Sequence, residues 1–282
     1  MIKTQSTSKR YIGIREKTIL TIISFVSILA LIMIAGDKIG ENDLVVDFMS
    51  KNQSPSVEHI FGTDWLGRDM FIRTIKGLSL SIQVGTIASL FSGLIALLLG
   101  LLGSTSSKTL EMIVTSIIDL FLAIPHTFIV IIISISVGGG IKGMILGISL
   151  THWASLARIV RSEVKQIRES DYIKTSKNFG KSNLYIAINH ILPHILPQLL
   201  IGIVLVFPHA ILHEASITFL GFGLEPHEPA IGIILSEAMK YISSGKWWLA
   251  FFPGMCLVII SMMVDKIGKL INKLINPKQA YK

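Results

Sequence analysis

Apolar stretches long enough to cross a lipid bilayer recur along the chain. A transmembrane helix requires about 20 mostly apolar residues, and six stretches meet or approach this length. They cover residues 18–36, 81–103, 113–137, 139–158, 198–220 and 247–266. This pattern predicts an all-α polytopic membrane protein with six transmembrane helices.

The positions of the basic residues predict that both termini lie in the cytoplasm. In that orientation the inner segments, with the helix ends that adjoin them, hold 18 of the 26 Lys and Arg residues. Cytoplasmic loops of membrane proteins are enriched in these residues. The first outer loop, residues 37–80, is rich in Asp and Glu instead. Five or seven helices would place the two basic ends of the chain on opposite sides of the membrane.

The composition agrees with lipid as the surrounding solvent. Charged residues make up 16% of the 282 positions and hydrophobic residues 51%, whereas soluble domains contain about 25% charged residues. The cytoplasmic loops account for the net charge of +8, so no nucleic acid partner is expected.

Basic residues precede the apolar stretch 18–36 as in a signal peptide. The stretch is too long for one and no small-residue cleavage site follows, which predicts a retained anchor helix.

A short helix is predicted in the longest inner loop, residues 159–197, which exceeds the length of a simple turn. Tyr172, Ser176 and Phe179 recur at helical spacing, and Gly180 ends the pattern as a helix C-cap does. Such a helix can fit a groove on a partner and transmit a rigid-body movement. The pattern alone leaves a solvated connecting helix equally open.

The same loop resembles the signature loop of ATP-binding-cassette importer permeases. That signature contains Glu-Ala-Ala, three residues, Gly, nine residues, and Ile-x-Leu-Pro. The matching residues are Gly180, Leu192 and Pro193, and the departures are Lys174, Thr175, Ser176 and His190. Because the acidic residue of the signature is missing, docking of an ATPase is expected to depend on shape. The residues assigned to this docking are Asp171, Tyr172, Lys174, Ser176, Phe179 and Gly180.

Four further segments narrow the resemblance. Residues 59–69, 119–125, 214–223 and 252–254 are similar to segments of the dipeptide, oligopeptide and nickel permeases, specifically of their second, C-type subunit. The resemblance implies a type I ATP-binding-cassette importer permease in the cell membrane, with a second permease subunit as heterodimer partner. It also implies two ATPase subunits, an extracellular solute-binding protein and surrounding membrane lipid as partners, and transport by alternating access.

The chain is accordingly divided into three parts. Residues 1–80 form an N-terminal anchor helix and an extracellular loop. Residues 81–270 form the permease core, which includes the cytoplasmic coupling loop 159–197. Residues 271–282 form a basic cytoplasmic tail.

Several polar and helix-breaking residues fall within or near the predicted spans. Polar groups are costly in hydrocarbon and face the bundle interior or a cavity, and prolines free carbonyl groups that can line a path. The candidates for the translocation path are Asp119, Pro125, His126, His209, His213 and Glu214. His209 and His213 are four residues apart on one helix face and could hold a metal, since imidazole suits nickel and related ions. The alternative is a hydrogen-bonded packing network between helices.

The outer loops are where an extracellular binding protein would deliver its cargo. The candidates for this outer face are Asp64, Arg68, Asp69, Glu225 and Pro226.

Two enzyme motifs fail in this sequence. His213-Glu214 lacks the second His of a His-Glu-x-x-His metalloprotease. Residues 103–109 lack the second Gly of a phosphate-binding loop and follow an apolar span. The chain is therefore expected to be no enzyme and to bind no cofactor, with ATP and Mg²⁺ used by partner ATPases.

An ion channel is a further alternative, although no carbonyl filter or series of voltage-sensing Arg residues occurs.

The clustered membrane His residues and the compact length favour nickel or a chelated transition metal, such as a metal–metallophore complex, as the cargo. The alternative is a dipeptide or oligopeptide.

Overall fold

The computed structural model of this chain describes residues 4–105 and 108–275, and these are mainly helical. The helices are α1 (Thr4–Lys38), α2 (Met70–Thr105), α3 (Lys108–Ala123), α4 (His126–Ser136), α5 (Gly140–Arg168), α6 (Asp171–Asn178), α7 (Asn183–Ile186), α8 (Leu192–Phe219), α9 (Ile231–Ile242) and α10 (Trp248–Ile275). A π-helical segment, Ala187–Ile191, joins α7 to α8. Two short 3₁₀ turns, Glu41–Leu44 and Phe48–Ser50, lie between α1 and α2.

Within the described ranges, five helical stretches are long and apolar enough to cross a membrane, and α3 with α4 makes a sixth if the bent pair is one span. The predicted third span, 113–137, was expected to be one helix. It is instead broken between Ala123 and His126, where the two halves meet at 99°. Pro125 explains the break, because proline lacks a backbone N–H and disfavours helical conformation in the residue before it.

The second span begins at Met70, well before the predicted start at residue 81. The hydropathy pattern excluded this first part because it contains Arg73 and Lys76. The structure satisfies both charges. Lys76 Nζ, for example, donates to Gly36 O at 2.9 Å and to Ile39 O at 2.8 Å, at the end of α1. A cation at a helix C-terminus is favourable because it meets unpaired carbonyls.

Three predicted connections contain more helix than expected. The inner loop 159–197 consists largely of the end of α5, all of α6 and α7, and the start of α8. The outer connection 221–246 contains α9, which the sequence did not predict. The predicted tail 271–282 begins inside α10, and residues 276–282 lie outside the described part.

Helix α2 forms the centre of the bundle, with α5 running parallel to it and α8 antiparallel. Ser92 Oγ on α2 donates to Ser149 O on α5 at 3.2 Å. Three glycines on α2 bring neighbouring helices so close that a Cβ atom would clash. They are Gly85, Gly93 and Gly100, which face Ile211, Ile203 and Val160. Small residues allow such close helix packing in membranes, where no hydrophobic force drives association.

The two functional ends of the bundle are set by α6 and α9. Helix α9 packs beside the starts of α2 and α10, whereas α6 packs beside the end of α5 and the π-helical segment. The charge distribution predicts that the α6 end is cytoplasmic.

Candidate functional site

Helix α6 lies where the sequence predicts a helix in the inner loop. Ile173 points inward and packs in an apolar cluster with Ile167 of α5 and Ile186 of α7. At the other end Gly180 adopts a φ of +76°, and its N–H donates to Lys177 O at 2.9 Å. This left-handed conformation suits glycine, which has no Cβ to clash. Helix α6 is therefore fixed against the ends of two spanning helices.

Large apolar side chains project outward from α6 and from the segment that follows it. Phe179 is 81% exposed, and the other members of this set are exposed as well. The set, called the docking surface below, comprises Tyr172, Phe179, Leu184, Tyr185 and Ile188. A contiguous group of exposed apolar side chains marks a candidate site of contact with a protein or with a membrane.

His190 connects α6 to the π-helical segment beneath the docking surface. Its ring centroid lies 6.1 Å from that of Tyr172 and 5.8 Å from that of Tyr185. Its Nε2 lies 3.3 Å from Ser176 Oγ. The sequence showed His190 only as a departure from the permease signature, whereas the structure places its ring in contact with two exposed tyrosines.

The charged residues of the predicted docking set have weaker contacts. Lys174 forms an exposed ion pair with Glu169 at 3.6 Å, and exposed pairs contribute at most about 1 kcal/mol. Asp171 lies in the first turn of α6, where the helix dipole favours an acid. Both residues are compatible with docking that depends on apolar shape.

Three histidines from three different helices meet at membrane depth. The ring centroids of His126 (α4) and His152 (α5) are 5.5 Å apart, and those of His152 and His213 (α8) are 5.2 Å apart. His152 is buried, and its Nδ1 lies 3.1 Å from Ile148 O. The trio is called the imidazole cluster below. The sequence suggested a different pairing, between His213 and His209.

His209 lies apart from the ring contacts of the imidazole cluster and is exposed on α8. Among the described residues, no group of three His, Cys, Asp or Glu side chains is arranged to hold a metal ion. The buried His126 Nδ1 has no hydrogen-bond partner within the described part of the chain. The geometry therefore offers polar helix packing, with no coordination sphere in this conformation.

Glu214 is fully buried between α2 and α8. Its carboxylate accepts hydrogen bonds from Ser81 Oγ at 2.6 Å and from Thr218 Oγ1 at 3.1 Å. Thr218 Oγ1 in turn accepts from Leu224 N at 3.2 Å. Glu214 thus ties α2 to α8 and to the turn before α9.

Asp119 lies on α3 with its side chain exposed, two turns before the break at Pro125. Arg158 Nη2 of α5 donates to its Oδ1 at 2.8 Å. This ion pair was not foreseen, although a single Arg near the end of an apolar stretch is a signal for such a partner.

Asp64 and Arg68, predicted for the outer face, lie instead in a charge network at the α9 end. Asp64 is 2% exposed, and its Oδ2 accepts from Arg68 Nε at 2.7 Å and from Arg73 Nη1 at 2.6 Å. Arg73 Nη2 also donates to Glu237 of α9 at 2.9 Å. Burial of Asp64 explains why it cannot meet a binding protein directly here. Arg73 and Glu237 were missed because their partners are distant in sequence.

Asp69 also has a structural position. Its Oδ1 caps α2 by accepting from Phe71 N and Ile72 N, and its Oδ2 lies 2.7 Å from His59 Nδ1. Asp residues favour this capping position because they satisfy unpaired N–H groups.

The exposed outer candidates are Glu225 and Pro226, in the turn before α9. Glu225 Oε2 lies 3.4 Å from His227 Nδ1. Elsewhere at this end, the pKa of Asp47 is lowered, first by the hydrogen bond from Ser50 Oγ at 2.6 Å and then by that from Met49 N. The exposed Asp47 carboxylate therefore stays ionised to a lower pH than a free Asp side chain.

Comparison with known proteins identifies the family. Residues 92–279 match the family described as "Binding-protein-dependent transport system inner membrane component". The dipeptide transport system permease protein DppC of Bacillus subtilis (strain 168) is 32% identical over 228 residues, covering 81% of this chain and 71% of the relative. The oligopeptide transport system permease protein OppC of the same organism is 29% identical over 232 residues, covering 82% and 76%.

Solved structures confirm the fold. An inward-facing structure of the MetNI methionine ABC transporter has a TM-score of 0.56 at 18% identity, covering 72% of this chain and 97% of that chain. An amino acid ABC transporter gives the same TM-score at 14% identity, covering 71% and 93%. The chain therefore belongs to the family of inner membrane components of binding-protein-dependent transport systems, and it is a multi-pass permease subunit of an ATP-binding-cassette importer.

Proposed function

We propose that this chain is the membrane-spanning subunit of an importer for dipeptides or oligopeptides. The observation that supports this most is the similarity, over about four fifths of the chain, to permeases whose names specify peptide transport. In this proposal the chain works with a second permease subunit, two ATPases and an extracellular solute-binding protein. The chain carries no ATPase activity itself, and its partners use ATP and Mg²⁺.

The docking surface is the proposed contact with one ATPase. Its exposed aromatic side chains, above all Phe179, suit an apolar groove on a partner, because burying them removes apolar area from water. Exposed ion pairs such as Lys174–Glu169 add little to such an interface. The contact consequently tolerates the missing acidic residue of the permease signature.

Two contacts can transmit a movement of α6 to the spanning helices. Ile173 packs against the end of α5, and His190 holds α6 to the π-helical segment that continues into α8. A rigid-body shift of the ATPases therefore moves both helices together, as alternating access requires.

Nickel or a chelated metal as the cargo retains one observation in its favour, which is the imidazole cluster. The names of the relatives described above specify peptides instead. The described residues also contain no metal-binding group. Peptide import is the better supported proposal.

Uptake measurements test the two cargoes directly. A strain lacking this subunit is compared with the complemented strain for uptake of a radiolabelled tripeptide and of radioactive nickel, each with and without a chelator. We expect complementation to restore tripeptide uptake and to leave nickel uptake unchanged. Restored nickel uptake without peptide uptake would overturn the proposal.

A further inference from the structure

A cleft lined by basic side chains, called the basic cleft below, lies beside α6. It has a volume of about 200 Å³ and is formed by the end of α5, by α6 and by α7. Three cations line it, Arg168, Lys174 and Lys177, against the one carboxylate of Glu169. The basic cleft therefore carries a net positive charge.

The basic cleft and the docking surface lie on different sides of α6. Ile173 is only 5% exposed and points into the molecule. At 3.6 residues per turn, Lys174 and Lys177 lie roughly 140–200° around the helix from Tyr172. Helix α6 therefore has an aromatic flank, formed by Tyr172 and Phe179. It also has a basic flank, formed by the two lysines, so a groove that receives α6 meets both.

Apolar side chains form much of the remaining wall of the basic cleft. Ile186 of α7 and Ile191 of the π-helical segment line it and are 4% and 1% exposed. Apolar walls lower the local dielectric, which strengthens attraction between opposite charges. The ion pair of Lys174 with Glu169 is long, at 3.6 Å, and both side chains are exposed. An incoming carboxylate can replace such a weak contact.

The charge of the basic flank is opposite to that of the permease signature. Lys174 stands where the signature has Glu. A groove whose wall is complementary to an acid at this position would repel Lys174, and such repulsion is a source of partner specificity. An ATPase that fits this chain therefore needs a wall of the opposite charge.

We propose that the basic cleft receives an acidic side chain, Asp or Glu, from the wall of the ATPase groove that binds α6. The apolar wall of that groove meets the aromatic flank, and its acidic wall meets the basic flank. The docking surface supplies affinity, whereas the charges speed association and select the partner. This inference rests on the ATPase docking of the proposed function and names the chemistry of the partner surface.

The first test restores the acidic residue of the signature. Lys174→Glu should lower the rate at which the ATPase of the same importer associates with the permease subunits in nanodiscs about tenfold at low salt, because attraction becomes repulsion. High salt screens the charges and should remove most of this difference. Lys273→Glu makes the same charge change at the exposed end of α10 and should associate like the wild type.

Two results of this test would overturn the inference. The first is association of Lys174→Glu at the wild-type rate or faster, which would show that the acidic residue is welcome in the groove. The second is equal slowing by Lys273→Glu, which would assign the effect to the overall charge of the chain.

The lipid of the nanodiscs separates an ATPase from a membrane as the partner of the basic cleft. Anionic lipids also attract basic side chains. In nanodiscs of neutral lipid alone, the difference between Lys174→Glu and the wild type should persist. A difference that appears only with anionic lipid would show that the cleft binds a lipid headgroup, and the inference would be wrong.

Carbodiimide cross-linking of the complete complex identifies the partner side chain. The reagent joins a Lys amine to a carboxylate in contact with it, and mass spectrometry maps the link. We expect links from Lys174 or Lys177 to an Asp or Glu of the ATPase, and their loss when both lysines are replaced by Gln. Links from these lysines to Glu169 alone would contradict the inference.

Phe179→Asp distinguishes this inference from the proposed docking. If Phe179→Asp abolishes ATPase binding while Lys174→Glu binds normally at low salt, docking at α6 stands and the acidic wall is refuted. If neither variant changes binding, docking at α6 is itself refuted.

Discussion

Arg73 of α2 donates a hydrogen bond of 2.6 Å to Asp64 of the preceding loop, and the two side chains are only 6% and 3% exposed. The same guanidinium reaches Glu237 of α9. One buried cation thus joins a long loop, a spanning helix and a helix outside the predicted spans. Breaking a buried pair is costly because it leaves the other charge without compensation.

Arg73→Gln should destabilise the protein by about 2–3 kcal/mol, since it removes charged hydrogen bonds while Arg68 still pairs with Asp64. The measurement is the midpoint of thermal unfolding of the purified complex in detergent. Lys38→Gln, which removes an exposed charge at the same end, should leave the midpoint unchanged. An Arg73→Gln protein as stable as the wild type would show that the network contributes nothing.

Tyr172→Asp or Phe179→Asp should weaken ATPase binding about tenfold or more, because docking would bury a charge in an apolar groove. The amount of ATPase that co-purifies with the tagged permease measures this. Gln166→Glu adds the same charge on the exposed part of α5 outside the docking surface and should bind normally. Normal co-purification of both aspartate variants would refute docking at α6.

Gly180→Ala should disturb coupling without any steric clash. Gly180 has φ +76° and Gly245 has φ +83°, and neither has atoms within 4 Å of an added Cβ. Alanine in this conformation costs about 1–2 kcal/mol at either position. Only Gly180→Ala should lower peptide-stimulated ATP hydrolysis, since Gly245 lies beyond α9. Equal ATP hydrolysis by the two variants would show that the turn at Gly180 takes no part in coupling.

Glu214→Ala should lower the unfolding midpoint, because it leaves the buried hydroxyls of Ser81 and Thr218 without their acceptor. The expected cost is about 3 kcal/mol, from unsatisfied polar groups and a cavity. Glu214→Gln keeps an acceptor oxygen and should cost less. If both variants unfold like the wild type but transport poorly, Glu214 acts on the path instead of in packing.

The spanning helices and α6 could be predicted because their signals are local. About 20 apolar residues specify a span, and Gly180 at helical spacing from Tyr172 specifies the end of α6. The early start of α2 could not be predicted, because hydropathy counts Arg73 as a cost and cannot show Asp64 or Glu237. Tertiary partners offset that cost.

The contacts of the candidate functional residues could not be predicted for the same reason, because they join residues that are distant in sequence. His209 and His213 suggested a pair because they are close in sequence, whereas the structure joins His213 to His152 and His126 on other helices. Asp64 stood in a loop and was expected to be accessible, yet its hydrogen bonds bury it. Spacing along one helix predicts neighbours on that helix alone.

The break at Pro125 divides the third span into two rigid segments with different axes. A helix bent by 99° transmits no axial push from one half to the other. The α3 half packs against α2 and α5, and the α4 half packs against α5 and α8. Because both halves pack against α5, a movement of α5 reaches each of them along a different axis.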